Sequence, residues 1–332
     1  MKPVKYTLII GGLALALGLS VIASLAFGAK TIPFQEVIDG LFNPSVSSFN
    51  ALVIQERIPR TVFALIAGAS LGVSGILMQS LTRNPVADPS ILGVNSGAAL
   101  AVVIGLAFFH INSATQYIVL AIAGAGLSAF FVYAIASLGR GGATPIKLTL
   151  AGATTSTAIT SMINLILLPR VQSLTSFRFW QVGSVSGATW DSIMTVLPVV
   201  IIAFVIAIAV SPSLNAMALG DEMATGLGVK VNRTRAISAI AGVLLCGSVT
   251  ALAGPIAFVG LMVPHAMRLL FGSNVKILVP LSAMGGAILL VLSDVIGRVL
   301  ANPGEIEVGI ITAFIGAPIF IIIAIKTKVK AL

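Results

Sequence analysis

Residues 89–139 read PSILGVNSGAALAVVIGLAFFHINSATQYIVLAIAGAGLSAFFVYAIASLG and contain no charged side chain. The hydrocarbon core of a bilayer is about 30 Å thick and a helix rises about 1.5 Å per residue, so one crossing needs about 20 apolar residues. The stretch is therefore long enough for two membrane-spanning helices. Asn112, Ser113 and Gln116 mark the turn between them.

The rest of the chain repeats this pattern. Only 29 of its 332 residues are charged, and a soluble domain would not confine its charges to such narrow bands, because water must wet its whole surface. The sequence therefore predicts an all-α, polytopic membrane protein with a single transmembrane domain, residues 1–332. Its eight uncharged stretches of at least 17 residues are 6–29, 61–82, 89–139, 148–169, 192–220, 236–267, 277–293 and 308–325.

The number of crossings is nine or ten, depending on whether Gly254-Pro255 breaks the stretch 236–267. Ten crossings with a cytoplasmic N-terminus place 13 of the 19 basic residues inside, with only three of the ten acids. Nine crossings would move Arg268, Lys276 and the C-terminal lysines outside, against the tendency of basic loops to remain in the cytoplasm. We therefore expect ten crossings, with both termini cytoplasmic.

Several function classes are disfavoured by composition. The net charge of +9 follows from the cytoplasmic loop bias, helped by the attraction of the membrane's anionic lipids, and requires no nucleic-acid partner. A single cysteine, Cys246, permits no intrachain disulfide and no zinc cluster. His110 and His265 are too isolated for catalysis, and every acid falls near a predicted helix end or in a loop, unlike the midplane acids of ion-coupled carriers. We expect no enzyme activity, no metal site and no bound cofactor.

One run of polar side chains lies deep in a predicted span. These hydroxyls either line a wet translocation pathway or bond back to the carbonyl four residues earlier, and both interpretations stay open. The run consists of Thr154, Thr155, Ser156, Thr157, Thr160 and Ser161.

Six segments in order along the chain resemble the permease subunits of ABC importers for ferric siderophores, haem and vitamin B12, the FecCD-type family. Any one of them is a weak signal, but together they cover nearly the whole chain. They are Arg57-Ile58-Pro59-Arg60, GASLGVSGILMQSLTRNPVADPSILGVNSGA (68–98), LGDEMA with LGV (219–229), GPIAFVGLMVPHAMR (254–268), Asp294 with Arg298, and EIEVGIITAFIGAPIF (305–320).

The resemblance implies a type II ABC-importer permease architecture of ten helices. It also implies a bacterial cytoplasmic membrane location, a second permease chain, and two copies of an ATPase subunit that use ATP and Mg²⁺. An extracytoplasmic substrate-binding protein would deliver the cargo, most simply a ferric siderophore. Haem and vitamin B12 remain alternatives, and a self-contained secondary transporter or channel is the competing class.

Residue roles follow from the same resemblance. Arg57, Arg60 and Arg298 resemble outward arginines that receive acidic side chains of the binding protein, and a guanidinium fork suits carboxylates. The alternative is a surface pair of Arg298 with Asp294 and of Arg57 with Glu56, each contributing a few tenths of a kcal/mol. The helix of the polar run and the last helix would line the pathway.

Within the coupling segment, residues 213–231, the stretch Met217–Lys230 resembles a pair of short cytoplasmic helices that seat in a groove of the ATPase. The acids Asp221 and Glu222 suit the first turn of a helix that follows Gly220, and Gly226 and Gly228 suit its end. The coupling residues are expected to be Leu219, Gly220, Asp221, Glu222, Ala224, Leu227 and Gly228.

Two further details are specific to this sequence. Arg83-Asn84-Pro85 predicts a structured inner turn, and Pro264-His265 predicts the inner end of a helix. Glu307 stands where the family usually has proline at the start of the last helix, which removes a helix-start signal from the outer face.

Overall fold

The computed structural model describes residues 3–42, 49–109, 111, 113–139 and 144–326. Within these ranges the chain forms α-helices and no β-strand, as the sequence predicts. A 3-10 helix, Pro89–Leu92, precedes the helix Val94–Ile104, and a π-helical turn, Gly105–Phe109, extends that helix. The helices are α1 (Pro3–Ala26), α2 (Phe34–Phe42), α3 (Phe49–Thr82), α4 (Val94–Ile104), α5 (Ala114–Ser137), α6 (Pro145–Leu167), α7 (Val171–Val182), α8 (Trp190–Met217), α9 (Asp221–Gly226), α10 (Val231–Ala253), α11 (Val259–Phe271), α12 (Val275–Leu300) and α13 (Val308–Lys326).

Seven of these helices are long and apolar enough to cross a membrane: α1, α3, α5, α6, α8, α10 and α12. Three shorter apolar helices, α4 with its π-helical turn, α11 and α13, accompany them in the described part of the chain. The predicted break at Gly254-Pro255 is confirmed, because α10 ends at Ala253 and α11 begins at Val259. Together the long and short apolar helices account for the predicted number of about ten.

The orientation of the chain stays a prediction, and several residues behind it lie outside the described residues. These are Lys2, Arg140, Lys328 and Lys330, together with His110 and the turn residue Asn112. The described side of that turn is well formed, since Ser113 and Gln116 make reciprocal capping bonds at the start of α5.

Helix α3 forms the centre of the bundle. It contacts α1, α2, α8, α10, α11 and α12, and its buried residues lie on all of its faces. The segment Arg57-Ile58-Pro59-Arg60 lies inside this helix and does not mark its start. The helix begins at Phe49, since Pro59 lies inside it and does not end it.

The predicted helix end at Pro264-His265 is wrong. Helix α11 continues through Pro264 to Phe271. A proline inside a helix leaves the carbonyl four residues earlier without its usual N–H donor, here Gly260. The Nε2 of Gln79, on α3, donates to that carbonyl at 3.3 Å and to Leu261 O at 3.1 Å. A side chain from the central helix thus satisfies the backbone that the proline frees.

Close backbone approach between helices explains one of the tightest glycine positions, Gly75. A Cβ built on Gly75 of α3 would lie only 1.8 Å from the carbonyl oxygen of Gly260 at the start of α11. Small residues permit such contacts, which replace the hydrophobic drive that lipid does not supply. Gly75 is therefore fixed by packing against backbone, which cannot move aside as a flexible side chain can.

We expect Gly75→Ala to destabilise the protein by about 1–3 kcal/mol or more, because the added methyl group must push α11 away from α3. Gly126→Ala on α5 is the matched control, since a Cβ there meets no atom within 4 Å. That control should be neutral or slightly stabilising, because alanine favours a helix over glycine. Thermal unfolding in detergent measures both variants, and equal melting temperatures would contradict the packing argument.

The short helix α2 packs against the first two turns of α3. Val37 of α2 and Ile54 of α3 are both buried and share an apolar cluster with Leu25 of α1. Phe34 and Leu41 remain exposed on the helix. Helix α2 therefore has one apolar face packed against the bundle and apolar side chains exposed on its other side.

The predicted structured turn after α3 is confirmed, and its position on the inner side stays a prediction. Arg83 adopts a left-handed backbone with φ 52°, and Asn84 Oδ1 accepts a bond from the N–H of Val86. Asp88 then caps the 3-10 helix by accepting from the N–H of Ser90 at 2.9 Å. Burial raises the pKa of the Asp88 carboxyl, while its bonds from Ser90 act in the opposite direction.

Candidate functional site

An ion-pair cluster joins α1, α3, α12 and the segment after α12 at the end of the bundle that the charge pattern places outside. We call it the outer arginine cluster: Arg57, Arg60 and Arg298 with Asp294 and Glu305. Arg60 is its centre, since its guanidinium bonds both oxygens of Asp294 at 2.7–3.2 Å and Glu305 Oε2 at 2.8 Å. Asp294 is 2% exposed and Glu305 is 36% exposed, so one partner is buried and the other faces solvent.

The other two arginines of the cluster are buried and bound internally. Arg298 pairs with Asp294 at 3.1 Å and bonds both the hydroxyl and the carbonyl of Ser24. Arg57 donates to the carbonyls of Leu25 and Lys30, each at 2.7 Å. Arg60 and Arg298 thus bind the two carboxylates, while backbone carbonyls accept from Arg57 and Ser24 accepts the remaining bonds of Arg298.

The expectation of three arginines presented on the outer face is therefore corrected. Arg57 and Arg298 are buried, and Arg60 is nearly so, because internal carboxylates and carbonyls already occupy their donors. The pair of Arg298 with Asp294 exists, but it is buried rather than at a surface. Asp294 also lies well inside α12, not at a helix end. Docking of a binding protein at these arginines stays a prediction.

The coupling segment forms one short helix, α9, rather than the two expected. Residues 213–217 belong to the last turn of α8, so only α9 is separate. Gly220 before it and Gly228 after it have positive φ, 114° and 84°. The N–H groups of Gly228 and Val229 bond the carbonyls of Thr225 and Ala224, a terminating pattern in which the left-handed residue is usually glycine. The glycine positions predicted for this helix thus hold at Gly220 and Gly228.

One acid holds α9 against the bundle. Asp221 pairs with Arg83 of the inner turn and, at 2.7 Å, with Arg235 of α10. Arg83 also donates to the carbonyl of Met217, the last residue of α8, at 2.7 Å. We call these three side chains the Asp221 clamp. It ties α9 to α10 and to the turn after the central helix α3.

The outward face of the coupling segment is apolar. Leu219, in the turn before α9, and Met223 and Leu227 are 61–64% exposed, and Met223 and Leu227 lie four residues apart on one side of the α9 segment. We call these three side chains the apolar row. Ala224 is fully buried against the bundle, and Glu222 is exposed. Met223 was not among the coupling residues predicted from the sequence, although it lies four residues before Leu227 in the same segment. An exposed apolar row of this kind, between two apolar helices, suits contact with another protein.

The polar run on α6 satisfies its own hydroxyls and is exposed on one side. The hydroxyls of Thr154, Thr157, Thr160 and Ser161 each bond the carbonyl four residues earlier at 2.8–3.1 Å. These four side chains are exposed in the isolated chain, whereas Thr155 is buried and Ser156 is half-buried. Back-bonding, one of the two interpretations, is therefore confirmed for four residues, and lining of a pathway stays a prediction.

The start of the last helix tolerates the loss of proline. Helix α13 begins at Val308, and the carbonyl of Glu307 accepts from the N–H of Ile310 at 3.0 Å. An acid at a helix start also interacts favourably with the helix dipole. In the part of the chain that the structure describes, no group of three or more His, Cys, Asp or Glu side chains could hold a metal ion.

Comparison with known proteins gives a consistent result. The chain is 41% identical over 310 residues to the ferric enterobactin transport system permease protein FepD of Escherichia coli (strain K12), covering 93% of this chain and 92% of that protein. It is 40% identical to the Fe(3+)-citrate import system permease protein YfmD of Bacillus subtilis (strain 168), covering 92% and 90%. A solved metal-chelate type ABC transporter in an inward-facing conformation superimposes with a TM-score of 0.84 at 28% identity, covering 97% of this chain and 99% of that chain.

The family comparison covers the sites described above. The sequence pattern of the FecCD transport family matches residues 15–326, a range that includes the outer arginine cluster, the Asp221 clamp and the polar run of α6. The match spans nearly all of the chain and agrees with its helical, multi-pass architecture. The chain is a member of the FecCD transport family.

Proposed function

We propose that the chain is the membrane-spanning subunit of a bacterial ABC importer that carries a ferric siderophore across the cytoplasmic membrane. The observation that carries the proposal is likeness over more than nine tenths of the chain to permeases named for ferric enterobactin and ferric citrate. The chain pairs with a second permease chain and catalyses no reaction itself. ATP and Mg²⁺ are used by two copies of a separate ATPase subunit.

Coupling to the ATPase takes place at α9. The apolar row Leu219, Met223 and Leu227 binds the ATPase surface, and Ala224 anchors the other side of the helix in the bundle. A movement of the ATPase then pulls on α9. The Asp221 clamp passes that movement to α10 and to the turn between α3 and α4, which switches the pathway between outward-open and inward-open states.

The cargo enters from a binding protein that docks at the outer face. Its acidic side chains approach Arg60, whose Nη1 now bonds the exposed Glu305. In docking, a carboxylate of the partner replaces Glu305 on Arg60, while the buried Asp294 keeps the guanidinium in place. The polar run of α6, with the exposed side of α13, faces the pathway between the two permease chains.

Glu305→Gln is expected to strengthen docking of the binding protein by about threefold to tenfold, because it releases one guanidinium edge and removes a repelling charge. Glu307→Gln is the matched control, since it removes the same charge from the same segment. The Glu307 carboxylate takes part in none of the ion pairs found among the described residues. Binding is measured with the complete transporter in nanodiscs at low salt. An equal gain for both variants would show a general charge effect and contradict a role for Arg60.

The importer proposal is tested by purifying the tagged chain from its native membranes in mild detergent and identifying its partners by mass spectrometry. A stoichiometric ATPase subunit is the expected result, and a second permease sequence would distinguish a heterodimer from a homodimer. A dimer without any ATPase would instead favour a self-contained transporter or channel.

A further inference from the structure

A groove of about 360 Å³ lies between α5 and α10, in the halves of these helices near Ser137 and Val231. Phe130 and Tyr133 line it from α5, and Ile240 and Leu244 line it from α10. Phe130 is 74% exposed and Ile240 is 54% exposed, so the groove opens to the outside of the bundle. Its walls are almost entirely apolar, as expected for a surface that contacts lipid.

Room for an occupant is shown by Gly126, which lines the same groove. A Cβ built on Gly126 meets no atom within 4 Å, in contrast with the helix-packing glycines such as Gly75. Gly126 is therefore not needed for close packing between helices, and the space beside it is open.

A basic side chain lies on the same face of α10 as the groove. Arg233 precedes Ala236, Ile240 and Leu244 by three, seven and eleven residues, and this spacing places all four on one stripe of the helix. Side chains on a helix lean toward its N-terminus, so Arg233 extends away from the groove toward the membrane surface. It is exposed, and it forms none of the ion pairs found among the described residues. Lys230, one turn earlier, is exposed as well.

We propose that this groove binds an anionic glycerophospholipid of the inner leaflet. One acyl chain lies in the groove, and the headgroup phosphate is held by Arg233 with help from Lys230. An open apolar groove beside a helix suits an acyl chain, and an exposed arginine beyond its end suits a phosphate at the depth where headgroups lie. The site goes beyond the transport proposal, since it does not depend on the cargo or on the ATPase.

The test places a fluorescent reporter in the groove. The full chain carrying Phe130→Trp is reconstituted in nanodiscs, and quenching by phosphatidylglycerol with brominated acyl chains is compared with quenching by brominated phosphatidylcholine. The signal of the chain without the reporter, from Trp180 and Trp190, is subtracted. We expect phosphatidylglycerol to reach half-maximal quenching at a mole fraction about fivefold lower than phosphatidylcholine.

Two variants separate the headgroup from the acyl chain. Arg233→Gln should make the two lipids quench at nearly equal mole fractions. Gly126→Leu should weaken quenching by both lipids, because the leucine side chain fills the groove. Arg178→Gln and Gly18→Leu are matched controls, since Arg178 is exposed on α7 and Gly18 has open space on α1. Both controls should keep the fivefold preference.

Three results would overturn the proposal. The first is equal quenching by the two lipids in the reporter chain. The second is an unchanged preference for the anionic lipid in Arg233→Gln together with unchanged quenching by both lipids in Gly126→Leu. The third is displacement of the brominated lipid by water-soluble glycerol phosphate, which would show that the headgroup binds without the groove.

Discussion

Replacing Asp221 with arginine is expected to reduce ATP-driven uptake at least about tenfold in the reconstituted importer, while the chain stays folded in the membrane. The change places a third guanidinium against Arg83 and Arg235 and pushes α9 from its position. Asp221 and Arg83 are more than two fifths exposed, so their pair contributes only about 0–1 kcal/mol to stability. A change of about 1.4 kcal/mol in the free energy that holds α9 in its coupling position is nevertheless enough for a tenfold effect on coupling.

A second substitution tests whether the clamp, rather than charge in general, is responsible. Arg235→Asp in the Asp221→Arg background restores one ion pair with reversed polarity, and we expect it to recover part of the uptake. Glu222→Arg changes the exposed side of α9, so Arg235→Asp should not rescue any defect of that variant. Asn232→Arg, also exposed, adds positive charge beside the clamp without breaking it and should keep uptake.

Uptake and ATP hydrolysis are measured together, because loss of coupling leaves the ATPase subunit itself intact. Normal uptake by Asp221→Arg in a folded chain would contradict the clamp. Rescue of Glu222→Arg by Arg235→Asp would show that total charge at this surface matters instead.

Features that depend on local sequence were predicted well. The break after Ala253 follows from Gly254-Pro255, and the inner turn follows from Arg83-Asn84-Pro85, because both depend on a few neighbouring residues. The position of α9 follows equally from Gly220 and Gly228, because both have positive φ values, which glycine adopts without steric cost. The number of apolar helices follows from the uncharged stretches, which reflect the thickness of the bilayer.

Features that depend on distant contacts were not predictable in the same way. Arg60 and Asp294 are 234 positions apart, and only the packing of α3 against α12 shows that they form a buried pair. The passage of α11 through Pro264 depends on Gln79, which is 181 positions from the carbonyl it serves. Charge counting therefore assigns a residue to one end of the bundle, but it does not show whether its side chain points outward or inward.

The buried pair at the outer end gives the largest expected effect on stability. We expect Asp294→Ala to destabilise the chain by about 3–5 kcal/mol, because it leaves Arg60 and Arg298 buried without their shared carboxylate. Glu305→Ala is the matched control, since Glu305 also pairs with Arg60 but is 36% exposed. A pair exposed to that degree is screened by solvent, so its loss should cost less than about 1 kcal/mol.

The same argument predicts recovery when the buried charges are removed together. Arg60→Met and Arg298→Met added to Asp294→Ala replace an incomplete ion cluster with apolar side chains, and this should restore much of the lost stability. Unfolding in mixed detergent micelles, followed for the unmodified chain and these variants, measures each difference. Equal losses for Asp294→Ala and Glu305→Ala would contradict the importance of burial. A triple variant no more stable than Asp294→Ala would show that the cluster acts through its specific hydrogen bonds to Ser24 and the backbone, not through the cost of unpaired charge.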